Sequence, residues 1–131
     1  MSRFSTSRDI GLRVIIRWAI NSFGLWLSAR LISDITFEES LWVIVWSGLV
    51  LSIINAAIKP LVVILSLPAI VFSLGLFMVF VNGLMVYLVG TLVDSYAVGS
   101  FGAAILAGLI IGLVNYAMTT FIEDRFTKED E

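Results

Sequence analysis

A run of uncharged residues in the middle of the chain most limits what this sequence can fold into. The 33 residues from Leu61 to Val93 contain no Asp, Glu, Lys or Arg. As one straight helix the run would be about 50 Å long, whereas the hydrocarbon core of a bilayer is about 30 Å thick. Two complete spans would need about 40 residues. We therefore predict one membrane span together with one shorter helical segment.

The composition of the chain is also typical of an integral membrane protein. Of its 131 residues, 60% are hydrophobic and 14% are charged, whereas soluble domains have about 45–50% apolar and about 25% charged residues. The chain has no cysteine and no histidine, which removes a thiolate nucleophile and the commonest acid–base group. The net charge of −2 argues against nucleic-acid binding. We expect one membrane domain that is not an enzyme and that holds no metal or cofactor.

Short polar loops divide the hydrophobic sequence into four predicted spans. We therefore expect an all-α fold, an integral membrane four-helix bundle built from two tandem helical hairpins. The polar N-terminal stretch is expected to be frayed or interfacial, and the charged C-terminal tail is expected to be disordered. The predicted spans lie at about 14–33, 40–58, 73–93 and 100–122, with a short interfacial or re-entrant helix at about 60–71 and cytoplasmic tails at 1–11 and 123–131.

Both prolines of the chain lie in the predicted short helix between the two hairpins. Pro60 at the first turn of a helix loses no hydrogen bond that the helix needs. Pro68 and Gly75 mark where the apolar run breaks. We expect this segment to be helical, shorter than the bilayer, and packed near Asn55 and Asn82.

The basic residues predict the orientation of the chain in the membrane. With four spans and a cytoplasmic N-terminus, only Arg30 lies toward the outside, and cytoplasmic segments are enriched in Lys and Arg. Arg13 and Arg17 lie one helical turn apart where the first span enters the membrane, a position suited to anionic lipid headgroups. The alternative is that they act only as topology signals. The seven residues expected on the cytoplasmic side are Arg3, Arg8, Arg13, Arg17, Lys59, Arg125 and Lys128.

The two hairpins resemble each other when the sequence is shifted by about 60 positions. The halves would have the same topology, so an axis along the membrane normal would relate them. Chance similarity between apolar helices is the alternative, although Asp, Gly and Asn are scarce in spans. The matched pairs at a shift of 60 include Asp34 with Asp94, Ser40 with Ser100, Gly48 with Gly108 and Asn55 with Asn115, and a shift of 61 matches Asn21 with Asn82.

Each predicted span contains one asparagine, and all four are expected in the cytoplasmic half of the bilayer. Together with Lys59 they form a predicted intramembrane polar cluster: Asn21, Asn55, Lys59, Asn82 and Asn115. An amide in hydrocarbon must find hydrogen-bond partners. The cluster is therefore either a set of interhelical hydrogen bonds that fixes the bundle or the lining of a polar vestibule that Lys59 closes. Lys59 could instead extend its ammonium group to the interface.

The last span carries small residues at every fourth position, which allows another helix to approach closely. Packing within the bundle and contact with a second copy of the chain both remain open. This predicted helix-packing stripe consists of Ser100, Ala104, Gly108 and Gly112.

The central stretch resembles a known family. The sequence NAAIKPLVVILSLPAIVFSLGLFMVFVNGLMVYLV, followed by SFGAAILAGLIIGLVN, is similar to the bacterial four-span phage holins of superfamily IV. The resemblance covers residues 10–122 approximately. Lysine stands where many members have arginine, which weakens any role that needs a bidentate guanidinium. The residues that carry the resemblance are Asn55, Lys59, Pro60, Pro68, Leu74, Gly75 and Asn82.

The resemblance implies a multi-pass protein of the bacterial cytoplasmic membrane. Holins oligomerise in that membrane and release or activate a cell-wall hydrolase, so the expected function is the formation of oligomeric lesions or pores. The alternative is a non-conducting structural or accessory subunit that binds a protein partner or anionic lipid. A small-solute transporter is less favoured, because no acid lies inside a predicted span. The expected partners are membrane lipids and either further copies of the chain or another membrane protein.

Overall fold

A computed structural model describes residues 3–38 and 40–130, and the side chains of residues 10–38 and 40–121. This part of the chain is helical apart from one short β-ribbon. Its elements are α1 (Arg3–Leu31), β1 (Ile35–Phe37), α2 (Leu41–Ala57), α3 (Lys59–Leu65), α4 (Leu67–Phe72), α5 (Phe77–Leu92), β2 (Tyr96–Val98) and α6 (Phe101–Asp130).

The four longer helices pack against one another around a buried apolar core. Helix α1 contacts α2 and α6, and α5 contacts α6 and α2. Apolar side chains from all of them fill the interior. Dense packing there gives each side chain many van der Waals contacts, which together stabilise the fold. Fully buried examples are Leu25 on α1, Leu51 on α2, Met85 on α5 and Ala107 on α6.

Two glycines set the closest approaches between the helices. A Cβ at Gly48 would overlap Ser22 on α1, and a Cβ at Gly108 would overlap the backbone of Gly83 on α5. Glycine is needed at both positions because any side chain would push the helices apart. The two contacts correspond under the sequence shifts of 60 and 61, since Gly48 matches Gly108 and Ser22 matches Gly83.

The two polar loops pair with each other as an antiparallel ribbon, which the all-α prediction missed. Ile35 pairs with Val98, Thr36 with Ala97, and Phe37 with Tyr96. Each strand has three residues, and its partner lies far away in the sequence. No period-2 pattern can be recognised over so short a length. The ribbon joins the two hairpins at the end of the molecule opposite the proline segment.

The proline segment differs from the single helix predicted at 60–71. It forms two short helices, α3 and α4, which meet at Ser66. Pro68 has no N–H to donate and its ring clashes with the carbonyl four residues earlier, so one helix cannot continue through this point. Helix α3 contacts α2 and α5, which carry Asn55 and Asn82.

Helix α5 begins at Phe77 rather than at the predicted residue 73, because a left-handed turn precedes it. Leu74 has φ of 57° and Gly75 has φ of 90°. Glycine adopts this conformation freely, whereas leucine does so at a cost in energy. The Ser73 hydroxyl accepts a hydrogen bond from the Phe77 amide at 2.9 Å, which closes the turn.

Both terminal helices are longer than expected. Helix α1 begins at Arg3 and α6 continues to Asp130, so the described residues of both tails are helical. The predictions of fraying in the N-terminal stretch and of disorder in the C-terminal tail are therefore wrong for these residues, whereas an interfacial position of the N-terminal stretch stays a prediction. Neither extension contains a proline that would stop the helix.

Among the described residues, two helical stretches are long and apolar enough to cross a membrane, Ile10–Leu31 and Phe101–Phe121. The pair α2 and α3 would make a third if it is one span bent by 43°. Helix α5 is apolar but has 16 residues, or a length of about 24 Å. Large apolar side chains cover the exterior, including Trp42, Phe72 and Leu74, which are 79%, 88% and 95% exposed.

Candidate functional site

A cavity of about 840 Å³ lies between the helices and collects the whole predicted polar cluster. Asn21 enters it from α1, Asn55 from α2, Asn82 from α5 and Asn115 from α6, while Lys59 comes from the first residue of α3. Five separate elements therefore contribute one chemistry-bearing residue each. Further polar residues in the wall are Arg17, Ser52, Tyr116, Thr119 and Thr120.

A chain of hydrogen bonds connects three helices along one side of this cavity. Asn115 Nδ2 donates to Asn21 Oδ1 at 3.3 Å, and Asn21 Nδ2 donates to Ser52 Oγ at 2.9 Å. The Ser52 hydroxyl in turn donates to the carbonyl of Gly48 at 2.8 Å. Asn21 is only 4% exposed, so these bonds satisfy an amide that would otherwise be costly to bury. This side of the cavity fits the interhelical hydrogen-bond interpretation.

Another part of the cavity wall has amides without hydrogen-bond partners among the described residues. Within the described side chains, those of Asn55 and Asn82 have no hydrogen-bond partner, although both line the cavity and are half-buried. Gly112 leaves the space that Asn82 occupies, because a Cβ there would lie 3.2 Å from Asn82 Nδ2. The free amides can both donate and accept hydrogen bonds, and this part of the wall fits the vestibule interpretation.

The cavity is positively charged. Arg17 and Lys59 line it, and no Asp or Glu is among its described lining residues. Lys59 lies in the joint that follows α2, outside the four predicted spans. Lys59 is half-buried, and the positive charge of Arg17 lies near enough to act on it. The site therefore favours negatively charged ligands over metal cations.

The two arginines that were predicted to contact lipid headgroups have different surroundings in the structure. Both are exposed, but Arg17 lines the cavity whereas Arg13 is not part of the cavity wall. Contact of either residue with lipid remains a prediction.

The predicted helix-packing stripe lies against α5 within the same chain. Ala104 is fully buried, and Gly108 and Gly112 face Gly83 and Asn82. Ser100 lies at the start of α6, where its hydroxyl accepts a hydrogen bond from the Ala103 amide at 3.1 Å and donates one to Asp34 at 3.3 Å. A contact between copies of the chain would therefore have to use another surface.

The sequence analysis did not single out Tyr116 and Thr120 of the cavity wall, or the buried Tyr96 of strand β2. Thr120 lies five positions after Asn115, outside the i+3 and i+4 spacing that signals a shared helix face. The Tyr96 hydroxyl donates to the Leu25 carbonyl at 2.7 Å, and burial raises the pKa of Tyr96. No sequence signal links Tyr96 to α1, because the ribbon that places it was itself not predicted.

These features define a small helical membrane protein with an apolar exterior and a cationic, amide-lined cavity that opens to its surface. The chain belongs to the family described as mycobacterial four-TMS phage holin, superfamily IV, whose sequence model matches residues 12–117. The resemblance found in the sequence is thereby confirmed.

Two relatives match over most of their length. The uncharacterized protein SCO3922 of Streptomyces coelicolor is 32% identical over 120 residues, which cover 84% of this chain and 95% of the relative. The uncharacterized membrane protein YvlD of Bacillus subtilis is 30% identical over 119 residues, which cover 88% of this chain and all of the relative. No solved structure shows a significant match to this chain.

Proposed function

We propose that this protein is a holin-like component of the bacterial cytoplasmic membrane that forms oligomeric lesions or pores. The observation that carries the proposal is the family match across residues 12–117. A monomer offers little polar lining for conduction, since part of the polar side chains in its cavity wall is used in the Asn115–Asn21–Ser52 hydrogen bonds. Permeability would therefore arise between copies of the chain, through surfaces other than the small-residue stripe of α6.

We also propose that the chain crosses the membrane four times as a bundle of two repeated hairpins, with both termini cytoplasmic. The distribution of Lys and Arg supports this orientation. The corresponding contacts at Gly48 and Gly108 support the repeat. Helices α2 and α5 have 17 and 16 residues, or about 24–26 Å of length. Local thinning of the bilayer would accommodate both at modest cost.

The alternative function is a non-conducting structural or accessory subunit that binds a protein partner or anionic lipid. The specific observation in its favour is that the small-residue stripe of α6 is used inside the chain, against Gly83 and Asn82. Because the glycines of the stripe pack against α5, they are not available for contact with further copies of the chain in a ring.

Inducible expression in a bacterial host, followed by entry of a membrane-impermeant dye, tests the proposal. A holin-like protein should admit the dye at a sharp time after induction. The control is an unrelated four-span protein expressed at the same level, which reveals damage from membrane overloading alone. Intact membranes at high expression would contradict lesion formation. Purification in mild detergent with a stoichiometric protein partner would then favour the accessory subunit.

A further inference from the structure

We infer that this cavity, which opens to the protein surface, binds a phosphate group, held by Arg17 and Lys59 together with the free amides of Asn55 and Asn82. This inference goes beyond membrane permeabilisation, and it deepens the accessory-subunit alternative by naming the chemistry of one ligand. It holds whether or not the membrane becomes leaky.

The first step of the argument is uncompensated positive charge. Arg17 and Lys59 are close enough for the charge of one to affect the other, and no acid is among the described residues of the cavity wall. Nearby charges of the same sign repel each other, and Lys59, which is half-buried, also loses hydration. An anion between the two side chains reduces both the repulsion and the cost of lost hydration. A doubly charged anion reduces them most, because it balances both positive charges.

The second step is the supply of hydrogen-bond donors. The amides of Asn55 and Asn82 have no partner among the described side chains, and the hydroxyls of Thr119 and Thr120 lie in the same wall. A phosphate presents several acceptor oxygens in different directions, whereas a carboxylate presents only two oxygens in one plane. Donors that come from several helices around a cavity match the phosphate better.

The third step is the size and polarity of the cavity. Its volume of about 840 Å³ exceeds what a phosphate ion fills, and the rest of its wall is apolar, including Val14, Ile53 and Val86. A phosphate with an attached organic group fits such a cavity, because the phosphate can contact the polar part of the wall and the organic group the apolar part. Either an anionic lipid headgroup or a soluble phosphate could supply the phosphate chemistry.

Binding to the purified protein in neutral detergent tests the inference. One arm measures phosphatidylglycerol adducts by native mass spectrometry, with phosphatidylcholine as the zwitterionic comparison. The other arm measures the shift in thermal unfolding caused by inorganic phosphate, with chloride at equal ionic strength as the comparison. A response only to phosphatidylglycerol identifies a lipid headgroup, and a response to inorganic phosphate identifies a soluble ligand; either result supports the site.

The variants locate the binding. Lys59→Gln and Arg17→Gln should each weaken binding by about tenfold or more, because each removes a charge-assisted hydrogen bond. Arg13→Gln is the matched control, since it removes the same charge one turn away from Arg17 at a residue outside the cavity wall. Equal losses in Arg13→Gln and Arg17→Gln would overturn the site in favour of general charge attraction. Absence of any response to either probe would also overturn it.

Dye entry is measured in parallel for the wild type and both cavity variants. Loss of phosphate binding with unchanged dye entry would leave the permeabilisation proposal standing. Phosphate binding without dye entry would support the site and contradict the lesion. The two proposals can therefore fail separately.

Discussion

Asn115 on α6 donates a hydrogen bond to Asn21 on α1, so side chains 94 positions apart in sequence meet inside the protein. This bond joins the last helix to the first, and Asn21 passes the connection on to Ser52 of α2. The hairpins are thereby linked at the cavity end, while the β-ribbon links them at the other end. Helices α1 and α6 and the two loops are thereby connected at both ends of the described structure.

Asn21→Ala should destabilise the protein by about 1–3 kcal/mol, because it leaves Ser52 and Asn115 each without one buried partner. Thermal or denaturant unfolding in detergent without anionic lipid measures the change. Asn55→Ala is the matched control, since it makes the same truncation on the cavity wall but removes no hydrogen bond among the described residues. Equal losses of stability in both variants would contradict a structural role for the Asn115–Asn21–Ser52 chain.

Gly108→Ala should destabilise the protein by about 1–3 kcal/mol through overpacking, because the new Cβ would overlap the backbone of Gly83. The control is Gly102→Ala on the same helix, where the nearest atom to a new Cβ is Ser100 Oγ at 3.9 Å. Alanine has the higher helix propensity, so the control should be neutral or slightly stabilising. The melting temperature of each variant is measured by size-exclusion chromatography of the protein that stays soluble after heating. Similar melting temperatures for Gly108→Ala and Gly102→Ala would contradict the close α5–α6 contact.

The polar cluster could be predicted from the sequence, and the physical reason is specific. An asparagine inside an apolar helix must find a polar partner, so the positions of Asn21, Asn55, Asn82 and Asn115 already indicated a shared interior. Which of them would bond to each other could not be predicted. That outcome depends on the rotation of each helix and on the space that Gly112 leaves for Asn82.

Other parts of the fold lay beyond the sequence pattern. The ribbon depends on Phe37 and Tyr96 meeting across the two halves of the chain, and three-residue strands carry too little periodicity to show this. The break at Ser66 follows from Pro68, but an apolar run alone does not show whether a proline bends or ends a helix. The late start of α5 depends on Leu74, a residue that rarely adopts positive φ.

Tyr96→Phe should cost about 0.5–1.5 kcal/mol, because it removes the buried hydrogen bond to the Leu25 carbonyl. The control is Tyr87→Phe, since Tyr87 is partly exposed and its side chain donates no hydrogen bond within the described residues. Denaturant unfolding at neutral pH measures both. A loss in Tyr87→Phe as large as that in Tyr96→Phe would show that the Leu25 bond contributes little.

The same tyrosine should make stability depend on alkaline pH. Burial raises the pKa of Tyr96 in the folded protein above the ordinary value of 10.0. The contribution of Tyr96 to the free energy of unfolding is therefore complete below pH 10 and is lost as the pH rises further. The reason is that the unfolded chain releases the tyrosine proton at a lower pH than the folded protein does. The slope approaches about 1.4 kcal/mol per pH unit for one group. The free energy of unfolding, measured from pH 9 to 11.5, should show this decline in the wild type. In Tyr96→Phe the part of the decline that comes from Tyr96 should be absent.

The proposed topology predicts the labelling of engineered cysteines, and the chain has no native cysteine to interfere. Thr36→Cys and Ala97→Cys occupy paired, exposed positions of the ribbon, so both should react with an impermeant maleimide added to intact cells. Thr120→Cys lies near the other end of the bundle and should react only after the membrane is permeabilised. Labelling of residue 36 without residue 97 would contradict the pairing of the two loops. Labelling of all three in intact cells would contradict four spans with both termini cytoplasmic.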